Sequence, residues 1–313
     1  MTRPAIQAQP TAPAGDSDVA LSVRGLRFSY PGRSEPVLRD ITFDLRPSEV
    51  VGVLGPNGSG KSTLLSALLD TRKGRRGGEV HFGRKQTVPR GLVGYATQQT
   101  ALYRQLTVRE NLLHAARILL PGGQVRASVD RCVKEFGLAE VASRPVHQLS
   151  GGWQRLVHLA VSFVHDPPVR ILDEPTNALD FETRGRLVEL VRGWRSRAIA
   201  TLLTSHYPED IEEMCTRIVV IRNGRAVRSA PLADLLAGLS RQLVVEATRH
   251  GTVVTGRAAA PTRLADLPAA LGSAIRDCGG VDGEVSDVRL TAATLRGLLT
   301  EDPQLKGMLA DED

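Results

Sequence analysis

The chain has 313 residues, 42% of them hydrophobic, which suits one large or two smaller domains around a real core and excludes a disordered tail or a mini-protein. Its net charge of +6 and pI near 9.6 suggest an anionic partner, yet the basic residues never form a run of five or six, and only five of the 40 are lysine. The arginine excess reads as genomic composition bias, and no nucleic-acid partner is expected. No apolar run reaches the roughly 20 residues of a bilayer-spanning helix, the start lacks an apolar signal core, and Cys132, Cys215 and Cys278 lack paired metal-ligand spacing. Secretion, membrane spanning by this chain and structural zinc are therefore not expected, and the cytoplasm is the expected compartment.

Residues 1–18 are Pro-rich, lack periodicity and read as a mobile leader. Leu21, Val23 and Leu26 to Tyr30, then Ile41, Phe43 and Leu45, predict two antiparallel-type strands separated by the turn-rich Pro31–Ser34. Val50 to Leu54 is a continuous apolar run, as in a strand buried on both faces. Leu64, Leu65, Leu68 and Leu69 give the next segment a helical stripe, which the Gly74–Gly78 stretch is expected to end. Thr107 to Leu120 and Val125 to Phe136 predict two helices divided by Pro121-Gly122-Gly123, and a third follows from Trp153 to Val164. Alternation then returns: strand Val169 to Leu172, helix Phe181 to Trp194, strand Ile199 to Thr204, helix Pro208 to Cys215 and strand Ile218 to Ile221. Strands over Gln242–Ala247, Gly251–Val254 and Val285–Leu290, with helices over Pro261–Asp277 and Ala292–Leu299, predict a small α+β appendage.

Gly55-Pro56-Asn57-Gly58-Ser59-Gly60-Lys61-Ser62-Thr63 fits G-x-x-x-x-G-K-[ST] between a buried strand and an amphipathic helix. Glycines let backbone amides curl around phosphate oxygens, the helix N-terminus adds positive potential, Lys61 reaches the β and γ phosphates, and the Ser62 hydroxyl suits Mg²⁺. An apolar strand ends in Asp173-Glu174, at the sheet edge where open α/β folds bind ligands. Asp173 suits the Mg²⁺ shell and Glu174 the polarisation of an attacking water. Leu149-Ser150-Gly151-Gly152 offers a second helix N-terminus, either an anion site or an ordinary cap by Ser150.

Together these segments resemble the ATP-binding cassette family, the ATPase subunits of ABC transporters, over about residues 20–235. The resemblance implies an α/β P-loop NTPase fold of ABC type, with a mostly parallel core sheet, an antiparallel β part and a helical subdomain. The expected organisation is a leader at 1–18, an ATPase domain at 19–239 with its helical subdomain at about 100–165, and a C-terminal accessory region at 240–313. By the same resemblance, Tyr30 stacks on adenine, Gln98 (or the adjacent Gln99) joins the Mg²⁺ and water network, and His206 senses the γ-phosphate. Ser150, Gly151 and Gly152 correspond to the signature that closes over ATP held by the other subunit. Asp180 lies in the loop linking the two sites, or else caps the next helix.

Three positions depart from the family pattern. Arg155 stands where many members have glutamine, a change that resembles the exporter branch working with ABC-2 type permeases; Ser48 replaces a common glycine; Arg170 interrupts an apolar strand and is expected at its exposed start. None removes a catalytic group. The resemblance thus implies a peripheral ATPase at the cytoplasmic face of the cell membrane, binding ATP and Mg²⁺, paired with a second ATPase subunit and a separate permease, and driving export. The alternative is a soluble ATPase of the same superfamily acting on ribosomes or DNA, whose members carry two cassettes, coiled coils or zinc modules that this chain lacks.

Overall fold

A computed structural model describes residues 19–299 except 87, 89–90, 178, 238–241, 250–251, 260–266, 278–283, 292–293 and 297–298. The described residues form two compact units, one ending at Pro231 and one starting at Leu232. The first contains β1 (Leu21–Ser29), β2 (Leu38–Leu45), β3 (Val50–Leu54), α1 (Lys61–Leu69), β4 (Arg75–Phe82), β5 (Val93–Ala96), α2 (Val108–Leu119), α3 (Val125–Glu135) and α4 (Gly151–Ser162). It continues through β6 (Val169–Asp173), α5 (Phe181–Ser196), β7 (Ala200–Ser205), α6 (Pro208–Met214), β8 (Arg217–Arg222) and β9 (Arg225–Pro231). Its sheet runs β4-β1-β2-β9-β8-β3-β7-β6-β5, with a parallel block from β8 to β5 and an antiparallel part built on β1, β2 and β4. This is the mixed α/β architecture expected.

Every residue of β3, β6 and β7 is buried, as the unbroken apolar run of β3 predicts and as the polar residues of β6 and β7 do not. Register turns this burial into a site. Leu54 pairs with Ser205 and Asp173 with Thr204, so the chain leaves three adjacent parallel strands at one edge, carrying Gly55, Glu174 and His206 out side by side.

The periodic helices form where expected. Thr107 caps α2 in a reciprocal box, its Oγ1 accepting from the Glu110 N–H at 3.2 Å while Glu110 Oε2 accepts from the Thr107 N–H at 2.8 Å. Pro121 is followed by a 3₁₀ turn over Gly122–Gln124 that separates α2 from α3. The glycine stretch after α1 behaves differently from the expectation. The helix ends at Leu69 with Asp70 left-handed, and Gly77 and Gly78 lie within β4, paired with β1 across a bulge between Arg24 and Arg27. Gly78 has φ of 83°, and a Cβ there would strike the carbonyls of Arg24 and Gly25, so close backbone approach requires glycine. Ser48 also has a positive φ, 63°, the conformation that favours the glycine common in the family.

Arg170 corrects a second expectation. It is fully buried, with Nη1 donating to Glu135 Oε1 and Nη2 to Asp166 Oδ1, both at 2.8 Å. Its guanidinium lies 4.4 Å from the Trp194 ring centroid and 5.1 Å from that of Phe163. The start of β6 is covered because Glu135 at the end of α3 and Trp194 near the end of α5 meet above it, the indole N–H donating to Glu135 at 2.8 Å. Although burial works the other way, Arg170 and Arg197 hold the Glu135 carboxyl below its usual range. Removing one partner strands the others in the interior, so Arg170→Ala is expected to lose about 3 kcal/mol of stability. Chemical denaturation of the wild type and the variant measures it.

The second unit holds α7 (Leu232–Ala237), β10 (Gln242–Arg249), β11 (Thr252–Ala259), α8 (Leu267–Asp277) and β12 (Glu284–Thr291). β10 pairs antiparallel with both β11 and β12, and α8 packs on β11 and β10, an α+β unit as expected. Of the helix expected over residues 292–299, Leu295, Arg296 and Leu299 are helical and the rest is largely outside the described residues, as is the expected leader at 1–18.

Candidate active site

The phosphate-loop sequence folds as its glycines require. Gly60 caps α1 with φ of 108° and Gly58 has φ of 77°, both in the range glycine adopts without strain. A Cβ on Gly55 would meet Ser59 and the Ile221 carbonyl, so the loop leaves β3 through a gap only glycine fits. The β8–β9 hairpin braces it from outside, the Gly224 N–H donating to the Ser59 carbonyl at 3.2 Å. Asn57, Gly58 and Ser62 are exposed, while Ser59 is buried with its hydroxyl lacking a hydrogen-bond partner among the described residues.

Lys61 projects from the first turn of α1 into the site and is only 5% exposed. Its Nζ donates to the carbonyls of Gly55 at 2.6 Å and Pro56 at 3.3 Å and lies 3.7 Å from Glu174 Oε1. Burial lowers its pKa, with Glu174 and Asp173 opposing the shift. Glu174 also accepts from Gln98 Nε2 at 3.0 Å, and His206 Nδ1 stands 3.4 Å from its Oε1. Three groups therefore converge on one carboxylate. Of the two neighbouring glutamines, Gln98 is the one that reaches it. Next to it, Asp173 is buried, and burial raises its pKa while hydrogen bonds from Thr204 and Ser62 and the charge of Lys61 hold it down. Ser62, Asp173 and Gln98 supply oxygen donors of the kind that hold a hard divalent cation together with phosphate oxygens.

Tyr30 lies at the rim of this cluster, its hydroxyl 3.2 Å from Thr63 Oγ1 and its ring edge-on to Phe28. Ser150, Gly151, Gly152 and Asp180 form a separate group. Ser150 caps α4, accepting from the Trp153 N–H at 3.5 Å, and Asp180 caps α5, accepting from the Thr183 N–H at 2.8 Å. Gly152 packs directly on Asp180 and Thr183, where a Cβ has no room. Among the described residues no hydrogen bond or ion pair joins this group to Lys61 or Glu174.

Sequence reasoning missed Thr204 and Tyr95. Thr204 Oγ1 donates to Asp173 Oδ1 at 2.7 Å and accepts from the Glu174 N–H at 3.0 Å, orienting both carboxylate residues at once. The available signal was a threonine two positions before His206, directly after the apolar pair Leu202-Leu203. Burial, together with the neighbouring Asp173 carboxylate, pushes the Tyr95 pKa up to about 12. Asp210, almost fully buried, accepts from Thr176, from Ser205 at 2.9 Å and from Arg184 at 2.9 Å, and so ties the segment after Glu174 to the turn that carries His206.

The family described as ABC transporter matches residues 38–177. The chain is 30% identical over 237 residues to the linearmycin resistance ATP-binding protein LnrL of Bacillus subtilis, covering 74% of this chain and 75% of that protein. It is 38% identical over 226 residues to the Nod factor export ATP-binding protein I of Paraburkholderia xenovorans, covering 70% and 73% respectively. Among solved structures, cbiO1 of Clostridium perfringens, part of the ABC transporter complex cbiONQ, superposes with a TM-score of 0.64 at 26% identity over 71% of this chain and 92% of its own. No described helix is long and apolar enough to cross a membrane. The phosphate loop, the carboxylates ending β6 and these similarities together make the chain a member of the ABC transporter family, an ATP-binding subunit that hydrolyses ATP in support of transport.

Proposed function

We propose that the protein powers export of a small molecule through a separately encoded membrane permease, bound peripherally at the cytoplasmic face of the membrane. The observation that carries the catalytic part is the convergence of Lys61, Gln98 and His206 on Glu174. In this reading Glu174 takes a proton from the attacking water, Lys61 meets the β and γ phosphates, and His206 holds the γ-phosphate as it leaves as inorganic phosphate, with ADP as the other product. Ser62, Asp173 and Gln98 would hold Mg²⁺, which would supply neutralisation of phosphate charge. A single carboxylate among those donors fits an ion whose remaining ligands are phosphate and water. Tyr30 stacks on adenine beside the loop formed by Gly55, Asn57, Gly58, Ser59, Gly60 and Thr63.

Ser150, Gly151, Gly152 and Asp180 complete the site of a second copy, consistent with their separation from Glu174 within one chain. In this reading the cassette spans residues 19–239, its helical subdomain about 100–165, and an accessory region 240–313, although the compact units divide at Pro231 and Leu232. Export is favoured by the relative named for Nod factor export, and linearmycin resistance, the role named for the other relative, fits it. Isolation of the protein from native membranes under mild detergent should bring down a polytopic membrane protein in stoichiometric amount. Recovery with ribosomes or DNA, and none with a membrane protein, would overturn the proposal.

A further inference from the structure

Arg155 lies on α4, a little over one turn beyond Ser150, and is buried, 5% exposed. Its Nη1 donates to the carbonyls of Thr97 at 2.6 Å and Gln98 at 2.9 Å. Its Nη2 donates to those of Asp173 at 3.0 Å and Glu174 at 3.2 Å, and its Nε to that of Pro175 at 3.3 Å. Among the described residues no carboxylate oxygen lies within ion-pair distance of this guanidinium. The remaining neighbour is His158 Nδ1 at 3.3 Å, and burial and Arg155 push the His158 pKa down to about 4, so a neutral imidazole faces the cation. Burying an arginine without a counter-charge is costly, so the five main-chain oxygens are its compensation.

The place of those oxygens explains the arrangement. The β5–β6 ladder ends at the pair Ala96 and Leu172, and beyond it Thr97 and Gln98 on one side and Asp173, which pairs only with Thr204 of β7, on the other are no longer paired with each other. Arg155 joins the two sides with a planar fork. Glu174 has φ of 44°, a left-handed conformation that costs a side-chain-bearing residue energy unless its surroundings enforce it. Thr204 fixes the peptide before Glu174 through its N–H, and Arg155 fixes the peptide after it through its carbonyl. The same guanidinium fixes the backbone of Gln98, whose amide reaches the Glu174 carboxylate.

We propose that Arg155 is a positioning residue for ATP hydrolysis: by bridging the ends of β5 and β6 it holds Glu174 and Gln98 in register and joins both to the helix that begins at Ser150. Glutamine has two donors on one nitrogen and cannot span the two segments, and lysine keeps the charge without the fork. The proposal rests on Glu174 being the general base.

The test uses the full-length protein and combines nucleotide affinity, read with a fluorescent ATP analogue, with single-turnover phosphate release. Arg155→Gln is expected to keep affinity within about twofold while the rate falls at least about tenfold, with Arg155→Lys between it and the wild type. When Glu174 is already glutamine, adding Arg155→Gln should change the residual rate by less than about twofold, because the group being positioned is gone. A wild-type rate in Arg155→Gln, a loss confined to affinity, or the same fold-loss in both backgrounds overturns the proposal. Arg155→Lys, which preserves the buried charge, carries the same comparison if the glutamine variant does not melt cooperatively. Glu174→Gln alone separates the two failures: normal turnover there removes the base assignment, whereas a dead Glu174→Gln beside a fully active Arg155→Gln removes only the positioning role.

Discussion

Glu174→Gln is expected to cut ATP turnover by at least about a hundredfold while ATP affinity stays near that of the wild type. The substitution preserves volume, and its carbonyl oxygen can still accept from Gln98 Nε2, now 3.0 Å from the carboxylate. It removes the negative charge that Lys61 and His206 face at 3.7 Å and 3.4 Å and the basicity needed to take a proton from water. Binding is expected to survive because the backbone amides and Lys61 assigned to the phosphate cradle all remain in place. With chemistry stopped and binding intact, ATP-held dimers should accumulate, visible as a shift to larger size when ATP is added before chromatography. Phosphate release from the purified variant is the measurement, and a rate near wild type would take the catalytic role away from Glu174.

The parts of this site legible in the sequence share a local signal. The Gly55 to Thr63 spacing, the Asp173-Glu174 pair closing an apolar run, and His206 after Ile199 to Thr204 each announce themselves within a few residues. Parallel register then brings them together without further instruction. What was missed depends on neighbours distant in sequence. Arg170 looked like the polar start of a strand because nothing near it predicts that Glu135 and Trp194 will cover it. Gly77 and Gly78 looked like a helix breaker because a glycine-bearing edge strand has too few side chains to show a period of two. β9 is different: Asn223-Gly224 is a strong hairpin signal, and both residues have positive φ, 50° and 73°, as a type I′ turn requires. Arg155 was legible as a departure from a family pattern, but its five carbonyl partners come from segments more than 15 residues away in sequence.

A mixture of Lys61→Ala and Ser150→Arg proteins is expected to recover ATPase activity that neither has alone. Lys61→Ala removes the buried cation assigned to the phosphates, so each of its sites is expected to fail in ATP binding and in turnover. Ser150→Arg acts at the other group. Its side chain is exposed, and Gly151 beside it faces open space, so this helix terminus is accessible to ATP on a second subunit. Losing the Ser150 cap costs about 1 kcal/mol of stability, too little to unfold the cassette, while a bulky cation beside the positive end of α4 opposes closure. Melting curves close to wild type and normal monomer affinity for ATP check that the lesion is confined to closure. In a dimer built from one protein of each kind, one site joins an intact Lys61 to an intact Ser150 and the other carries both lesions. Random exchange at equal concentrations makes half of the dimers mixed, so recovery approaches about a quarter of the wild-type rate. A self-contained site predicts none, because every chain in the mixture then carries its own defect. A mixture no more active than its components, or a Ser150→Arg homodimer at the normal rate, would therefore count against a site shared between subunits.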